Sequence, residues 1–526
     1  MRSTVDAATV KSWLSDGGEI AFFDVREAGP FANGHPFFAV PLPYSRLELD
    51  IVHLAPNRAV RMVLCDDGDG VAEKAKRRAE ALGYSNVVVL DGGAPAWKRA
   101  GYTLYEGVNL PSKTFGELIE HERHTPRITA QDLDAMKRRG DDFVIVDGRT
   151  WAEYTRFNIP GGISCPNGEL VLRIGEIAPD PKTMVVVNCA GRTRSIIGAQ
   201  TLIDFGVANK VVALENGTQG WFLAGYDLQR GADLKWPEAP KDAGVREAMK
   251  AKAQRHAQRH GVKSAASVEV AQWLDDASRT TYLFDIRTAE EVAAVPIAGF
   301  RHAPGGQLVQ ATDQWVGVRG ARIVVADGEM IRAPMVAAWL RQLGHEAYVL
   351  DGNGRAGASD ARSARAESVP PDVKPISVAE AATKLERGSA RVVDLRSSAA
   401  WSAGHIPGSV WSIRPRIASA VDASRPVILV ADDAIVARAA ALDLSEAGVS
   451  DVWRLDGGIE AWRQDKRELA SAPELPNAER IDFVWHTAGR HEGNAAAARA
   501  YLAWETNLVN QLDAQERGVF RLTQTA

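Results

Sequence analysis

Four times along the chain an apolar strand ends in the triplet Asp-x-Arg: AFFDVR at Asp24 and Arg26, VIVDGR at Asp147 and Arg149, YLFDIR at Asp285 and Arg287, and RVVDLR at Asp394 and Arg396. Each is followed by a second strand, a loop and an amphipathic stretch, and then by an apolar run that closes on a glycine turn: VVVLDGGAPAW, VVALENGTQGW, AYVLDGNGRAG and VWRLDGGIEAW. A repeat with this spacing means one supersecondary block used four times. Short apolar strands alternating with helical stretches imply βαβ units and a parallel sheet buried on both faces. In the second block, Ile196, Ile197, Ala199, Leu202 and Ile203 keep the helical period between two strands. The expected fold class is therefore α/β: four tandem domains, each a small central parallel sheet with helices on both faces. Their expected bounds are 1–110, 125–232, 262–356 and 375–472, followed by a helical tail over 473–526 that packs on a neighbour.

Length agrees with this division, since 526 residues are too many for one hydrophobic core. The stretch 243–261 is charged and reads as a helical linker, whereas 354–375 is small, polar and proline-bearing and reads as a tether. A net charge of −5 gives no reason to expect nucleic acid or an anionic membrane as partner. No apolar run approaches a membrane span, and the N-terminus lacks the apolar core of a signal peptide, so the expected location is cytoplasmic. Three cysteines without a CxxC pair form neither a disulfide framework nor a zinc site, and no metal or cofactor is expected. The pairs His256/His260 and His486/His491 lack further ligands nearby and read as solvated faces.

One cysteine stands out. Cys189 ends the strand TMVVVN and opens the loop Cys189-Ala190-Gly191-Arg192-Thr193-Arg194-Ser195, which carries two cations and no acid before a helix begins. Ligands of open α/β sheets bind beyond the carboxyl ends of the strands. A thiol there faces free N–H groups and the positive end of a helix dipole, and Arg192 and Arg194 add to both, so thiolate is favoured over thiol. Cys65 and Cys189 stand equally far ahead of Trp97 and Trp221, which places them at the same position of the repeat; in the third and fourth blocks that position falls on Ala326 and Ala431. The loop after Cys65 holds Asp66, Asp67 and Asp69, which oppose thiolate formation and repel anions. Cys165 has no counterpart in the other blocks and reads as structural. Trp221 and its counterparts read as core.

These features resemble the rhodanese superfamily of sulfurtransferases. The likeness rests on the Asp-x-Arg strands, IPGG after Asn158, HIPGS at His405, the CAGRTRS loop and the closing glycine–tryptophan element, and it covers nearly the whole chain. Chains with four such domains are known in that superfamily. The resemblance implies a ping-pong sulfur transfer in which Cys189 takes a sulfane sulfur from a small anionic donor such as thiosulfate and passes it to a thiol or to cyanide. It implies that the amides of Ala190, Gly191, Arg192, Thr193, Arg194 and Ser195 cradle the anionic persulfide, and that Arg192 or Arg194 binds the sulfonate, a use suited to a guanidinium fork. Arg149 is a further candidate for substrate binding, although the recurrence of Asp-x-Arg in blocks without cysteine favours a fold-holding role. Asn158 replaces the histidine that usually precedes Ile-Pro-Gly, and the first, third and fourth loops lack the basic character, so those domains are expected to be catalytically silent.

Two other readings compete. In the first, the chain is a non-enzymatic scaffold or a protein-to-protein sulfur relay with an acceptor protein, and a homodimer fits either reading. In the second it is a phosphatase of related fold; those carry arginine one place later in the loop, where this chain has Ser195.

Overall fold

The computed structural model describes residues 3–352, 370–484 and 488–522. Most of the expected tether, and His486, lie outside them. The chain forms two compact units: one of residues 1–13, 21–107 and 364–485, the other of residues 14–20, 108–363 and 486–526. Among the described residues no helix is long and apolar enough to cross a membrane.

The second repeat shows how the block is built. Its five strands are β1 (Arg127–Ile128), β2 (Phe143–Asp147), β3 (Ile163–Ser164), β4 (Met184–Asn188) and β5 (Val211–Leu214). They pair in the order β1-β5-β4-β2-β3, every pair parallel. Alternate residues of β4 serve opposite faces: Val185 and Val187 join Leu170, Leu202 and Phe205, while Val186 joins Ile145, Val212 and Trp221. This period of two, with both faces covered, explains why the strand reads as an unbroken apolar run. The other three repeats arrange their five strands in the same order. The chain runs outward from β2 to β3 on one side and from β4 to β5 on the other, so the carboxyl ends of β2 and β4 flank the switch point where ligands of such sheets bind.

The repeated triplet locks that end of the sheet. Asp147 is fully buried and takes Arg149 at Nε (2.9 Å), at Nη2 (2.7 Å) and at its backbone N–H (3.0 Å), while Nη2 also donates to the carbonyl of Phe157. The same Nη2 contact is made by Arg26 to Gly34, Arg287 to Val295 and Arg396 to Gly404. Each pair thus staples a strand end to the chain eight residues onward.

Helix Ala243–Arg259 forms over the expected linker. Its histidine face is not solvated, contrary to the reading of His256/His260: His256 is 1% exposed because the helix packs on Arg332–Gln342 of the third repeat. Burial, with His260 and Arg259 beside it, lowers the His256 pKa to about 3. Among the described residues no group of His, Cys, Asp and Glu could hold a metal ion.

The second and third repeats meet backbone to backbone. A Cβ on Gly168 would lie 2.9 Å from the Gly306 nitrogen. Beside this contact the fully buried Arg332 of the third repeat reaches Glu169 of the second at 2.7 Å and its own Glu291 at 2.8 and 2.9 Å. Removing the guanidinium strands a buried carboxylate, a change that costs on the order of 3 kcal/mol. Arg332→Ala is expected to lower the stability of this unit by about that amount in urea titration, and a loss below about 0.5 kcal/mol would show that the pair does not hold the repeats together.

Candidate active site

Cys189 follows β4 directly. In the register of the sheet Asp147 lies opposite Asn188. The equivalent pairs are Asp24 with Cys65, Asp285 with Ala326 and Asp394 with Val430. The residue after each pair therefore corresponds to Cys189: Asp66, Asp327 and Ala431. This corrects the alignment of Cys65 with Cys189 and of Ala326 with both. The cause is a single residue: one fewer separates Asp66 from the turn glycine Gly93 than separates Cys189 from Gly217, so distance to the tryptophan misplaces the loop. Ala431 keeps its expected place. Cys65 is a buried strand residue; burial and Asp24 push its thiol well above its ordinary pKa, against the pull of Arg26. Burial likewise raises the Cys165 thiol.

The loop closes between two helices, α2 (Thr193–Phe205) and α3 (Gly217–Leu223). The N–H groups of Thr218 and Gln219, at the start of α3, donate to the carbonyls of Cys189 (2.8 Å) and Ala190 (3.1 Å). Gly217 permits this approach: its φ is +52° and a Cβ would sit 2.2 Å from the Cys189 oxygen. With its carbonyls tied to α3, the loop leads into the N-terminus of α2, where Ser195 Oγ donates to Cys189 Sγ at 3.1 Å.

The third repeat reveals what such a loop holds. The Asp327 carboxylate accepts from the N–H groups of Glu329 (3.1 Å), Met330 (2.7 Å), Ile331 (3.0 Å), Arg332 (2.6 Å) and Ala333 (3.1 Å). In the first repeat Asp66 accepts from Gly68 (2.8 Å), Gly70 (3.2 Å) and Ala72 (2.9 Å). By register the five amides around Asp327 correspond to those of Gly191, Arg192, Thr193, Arg194 and Ser195. Such a ring of convergent amides is an anion cradle.

Both loop arginines, which the resemblance assigns to the sulfonate, are paired with carboxylates of the chain itself. Arg192, 6% exposed, forms a fork with Glu117 (2.7 and 2.8 Å) and also bonds Glu120, both on α1 (Leu110–Arg123). Arg194 forms a fork with Glu153 at 2.7 Å on both nitrogens. Burial works against the Arg194 charge, but Glu153 and then Cys189 hold it. Arg149 differs from both. Its Nη1 is buried and, among the described residues, has no hydrogen-bond partner. In the first repeat the same nitrogen of Arg26 donates to Asp67 at 2.9 Å. The residue corresponding to Asp67 is Ala190, which has no side-chain oxygen to offer.

Part of the site was not expected. The tail folds into α4 (Ala495–Gln511), within the unit that contains the second repeat. Glu505 is 1% exposed and accepts from Thr193 Oγ1 (2.7 Å) and Lys113 Nζ (3.3 Å). Burial opposes its charge, yet Lys113 and Thr193 hold the carboxyl below its ordinary pKa. A Cβ on Gly191 would lie 3.2 Å from both Glu505 Oε2 and Tyr501 Cε1. The sequence shows an amphipathic tail helix but nothing that names its seat; its internal Lys113–Glu505 partnership spans most of the chain.

Comparison with known proteins places this architecture. The profile for the rhodanese-like domain matches residues 6–100, 129–224 and 377–465, more than half of the chain. The thiosulfate sulfurtransferase GlpE of Pseudoalteromonas translucida is 34% identical over 92 residues, 17% of this chain and 88% of that protein. GlpE of Pseudomonas fluorescens is 39% identical over 87 residues, 16% of this chain and 80% of that protein. A crystal structure of a thiosulfate sulfurtransferase from Pseudomonas aeruginosa superposes with a TM-score of 0.90 at 40% identity, covering 99% of both chains. With four parallel sheets of one strand order and a cysteine loop at the switch point of the second, the chain belongs to the rhodanese-like sulfurtransferase family.

Proposed function

We propose that the chain transfers sulfane sulfur from thiosulfate to a thiophilic acceptor through a persulfide on Cys189. The observation that carries this reading is the amide ring. In the third repeat five N–H groups bind the Asp327 carboxylate, and in the second Cys189 stands at the corresponding position of the loop. A ring suited to a carboxylate suits a thiolate and, after transfer, the terminal sulfur of a persulfide. Cys189 thiolate attacks the outer sulfur of thiosulfate, the sulfur–sulfur bond breaks, and sulfite leaves with the electron pair. A nucleophilic acceptor then takes the outer sulfur, and Cys189 is released as thiolate. Ser195 Oγ, 3.1 Å from Sγ, donates a hydrogen bond to the sulfur throughout. The Arg149 Nη1 supports a role in holding the sulfonate: it is a buried guanidinium nitrogen with no hydrogen-bond partner among the described residues. Arg192 and Arg194 act at one remove by holding the loop against Glu117 and Glu153.

Intact-mass measurement after thiosulfate treatment is expected to show a gain of about 32 Da on the Cys189 peptide. Cys189→Ser is expected to abolish both that gain and thiocyanate formation with cyanide, whereas Cys65→Ser keeps most of the activity. Loss of activity in Cys65→Ser alone would move the reaction to another repeat. Arg149→Lys keeps the charge but loses the fork, and is expected to raise the thiosulfate KM about tenfold, the size of one charge-assisted hydrogen bond. An unchanged KM would remove Arg149 from the donor site.

The Arg194–Glu153 pair makes the loop sensitive to acid. Burial pushes the Glu153 carboxyl up from 4.5, but Arg194 and the hydrogen bonds of Thr150 win and hold it at about 2. A depressed carboxyl contributes stability above its unfolded value and loses it as pH falls through its folded value. Glu153 is 37% exposed, so solvent screens the pair. Urea midpoints are expected to fall from about pH 5 to about pH 2 and to fall less steeply in Glu153→Gln; parallel curves for the two proteins would contradict the assignment.

A further inference from the structure

The four repeats act as controls for one another. At the positions corresponding to Gly191, Arg192 and Thr193, the first repeat leaves Gly68 and Asp69 exposed and Gly70 half-buried, and the third leaves Glu329 and Met330 half-buried. In the second repeat every residue from Gly191 to Ser195 is buried, and Ala190 alone keeps a half-buried surface beside the 2% exposed Cys189. The difference is a cover formed by α1 and by α4, the helix of the tail.

That cover is rigid where it meets the loop. Tyr501 lies with its ring edge 3.2 Å from the point where a Gly191 Cβ would stand. Arg490 lies 4.2 Å from its ring centroid, and its hydroxyl accepts from Lys113. Glu505 ties the same helix turn to Thr193 Oγ1 inside the cradle. Opposite them stands Gln219, 2% exposed; neither its side-chain nitrogen nor its oxygen, nor Glu505 Oε2, has a partner among the described residues. The wall is therefore polar in lining, and it covers every residue from Gly191 to Ser195.

We propose that Tyr501 and Glu505 of the C-terminal helix are specificity-determining residues that restrict the sulfur acceptor to small nucleophiles, such as cyanide or a short thiol, which reach Cys189 past Ala190. This rests on the reading of Cys189 as the sulfur carrier. The acceptor's sulfur or carbon forms a bond to the outer persulfide sulfur, the persulfide bond breaks, and its electron pair returns to Cys189; any thiol proton is lost to solvent beforehand. A peptide-sized or protein thiol would have to displace Tyr501 from its contacts with Lys113 and Arg490.

The test uses the full chain, loaded with thiosulfate and freed of excess donor, and follows loss of the added sulfur by intact mass. Acceptors are compared at equal thiolate concentration: 2-mercaptoethanol as the short thiol, glutathione as a tripeptide thiol, and a reduced thioredoxin as a protein thiol. The short thiol is expected to discharge the persulfide at least about tenfold faster than glutathione, and the protein thiol slowest of all. Tyr501→Ala is expected to narrow the ratio between short thiol and glutathione about tenfold, and Tyr501→Phe, which keeps the wall and loses only the hydroxyl, to leave it near the original value. Because the readout is a ratio within one protein, a general loss of activity does not mimic the effect. Equal rates for all three acceptors in the unaltered chain, or a ratio untouched by Tyr501→Ala, would overturn the inference, and the first of these needs no variant to fold. A chain that never gains about 32 Da on Cys189 would instead overturn the reading of the carrier itself.

Discussion

A ring of backbone N–H groups at the end of the fourth strand binds a carboxylate in the first and third repeats. It arises because a tight loop runs from a strand into a helix N-terminus, where amides have no carbonyl of their own to meet. Each repeat must satisfy those donors. The first and third do so internally, with Asp66 and Asp327, whose carboxylates accept three and five amide hydrogens. The second has Cys189 at the corresponding position, where Ser195 Oγ donates to its sulfur. On the function proposed for Cys189, the electrostatics that make an aspartate a structural plug in one repeat favour a thiolate in another. In the first and third repeats the loop geometry is intact and already filled by a carboxylate, whereas the fourth has Ala431 at that position.

Much of this is legible in the residues themselves. The Asp-x-Arg strands and glycine turns recur with enough regularity to give the sheet its strand content, its parallel direction and its fourfold count. The strand-end position of Cys189 and the cradle from Gly191 to Ser195 follow from local order along the chain. The register of the first repeat does not, because one residue lost between loop and turn slides Cys65 onto the place of Asp66 when tryptophan is the only reference; pairing across the sheet, Asp24 opposite Cys65, is what settles it. The partners of the loop arginines were also hidden. Glu117 and Glu120 lie on a helix before the domain, and Glu153 looks like a helix cap, a role it does fill with Thr150. Charge in a sequence shows what a side chain can bind, whereas the acid that has already claimed it is a matter of tertiary structure.

Arg149 carries the same lesson in the opposite direction. A triplet present in every repeat reads as architecture, and the staple to Asp147 and Phe157 is architecture. Only the substitution at the next strand's loop, aspartate in the first repeat and Ala190 in the second, changes what the remaining nitrogen meets. On the function proposed here, two carboxylates present in the first repeat are absent from the second: Ala190 stands for Asp67 beside the guanidinium, and Cys189 for Asp66 in the cradle.

The retention of a third repeat without a thiol follows from the contacts it makes with the second. Asn167 Nδ2 donates to the Arg194 carbonyl at 2.9 Å, inside the turn that forms the cradle. The next residue, Gly168, lies against Gly305 and Gly306, and the one after, Glu169, is held by Arg332. Three successive residues thus connect the active loop to the neighbouring repeat, and Arg194 itself reaches Gln307 at 3.4 Å. Arg332 occupies in the third repeat the position that Arg194 occupies in the second, and it makes the corresponding pair, with Glu291 in place of Glu153. The two loops therefore lean on each other through matching elements. The third repeat, with its own cradle filled by Asp327, thus supplies a packed surface against the turn that carries Arg194.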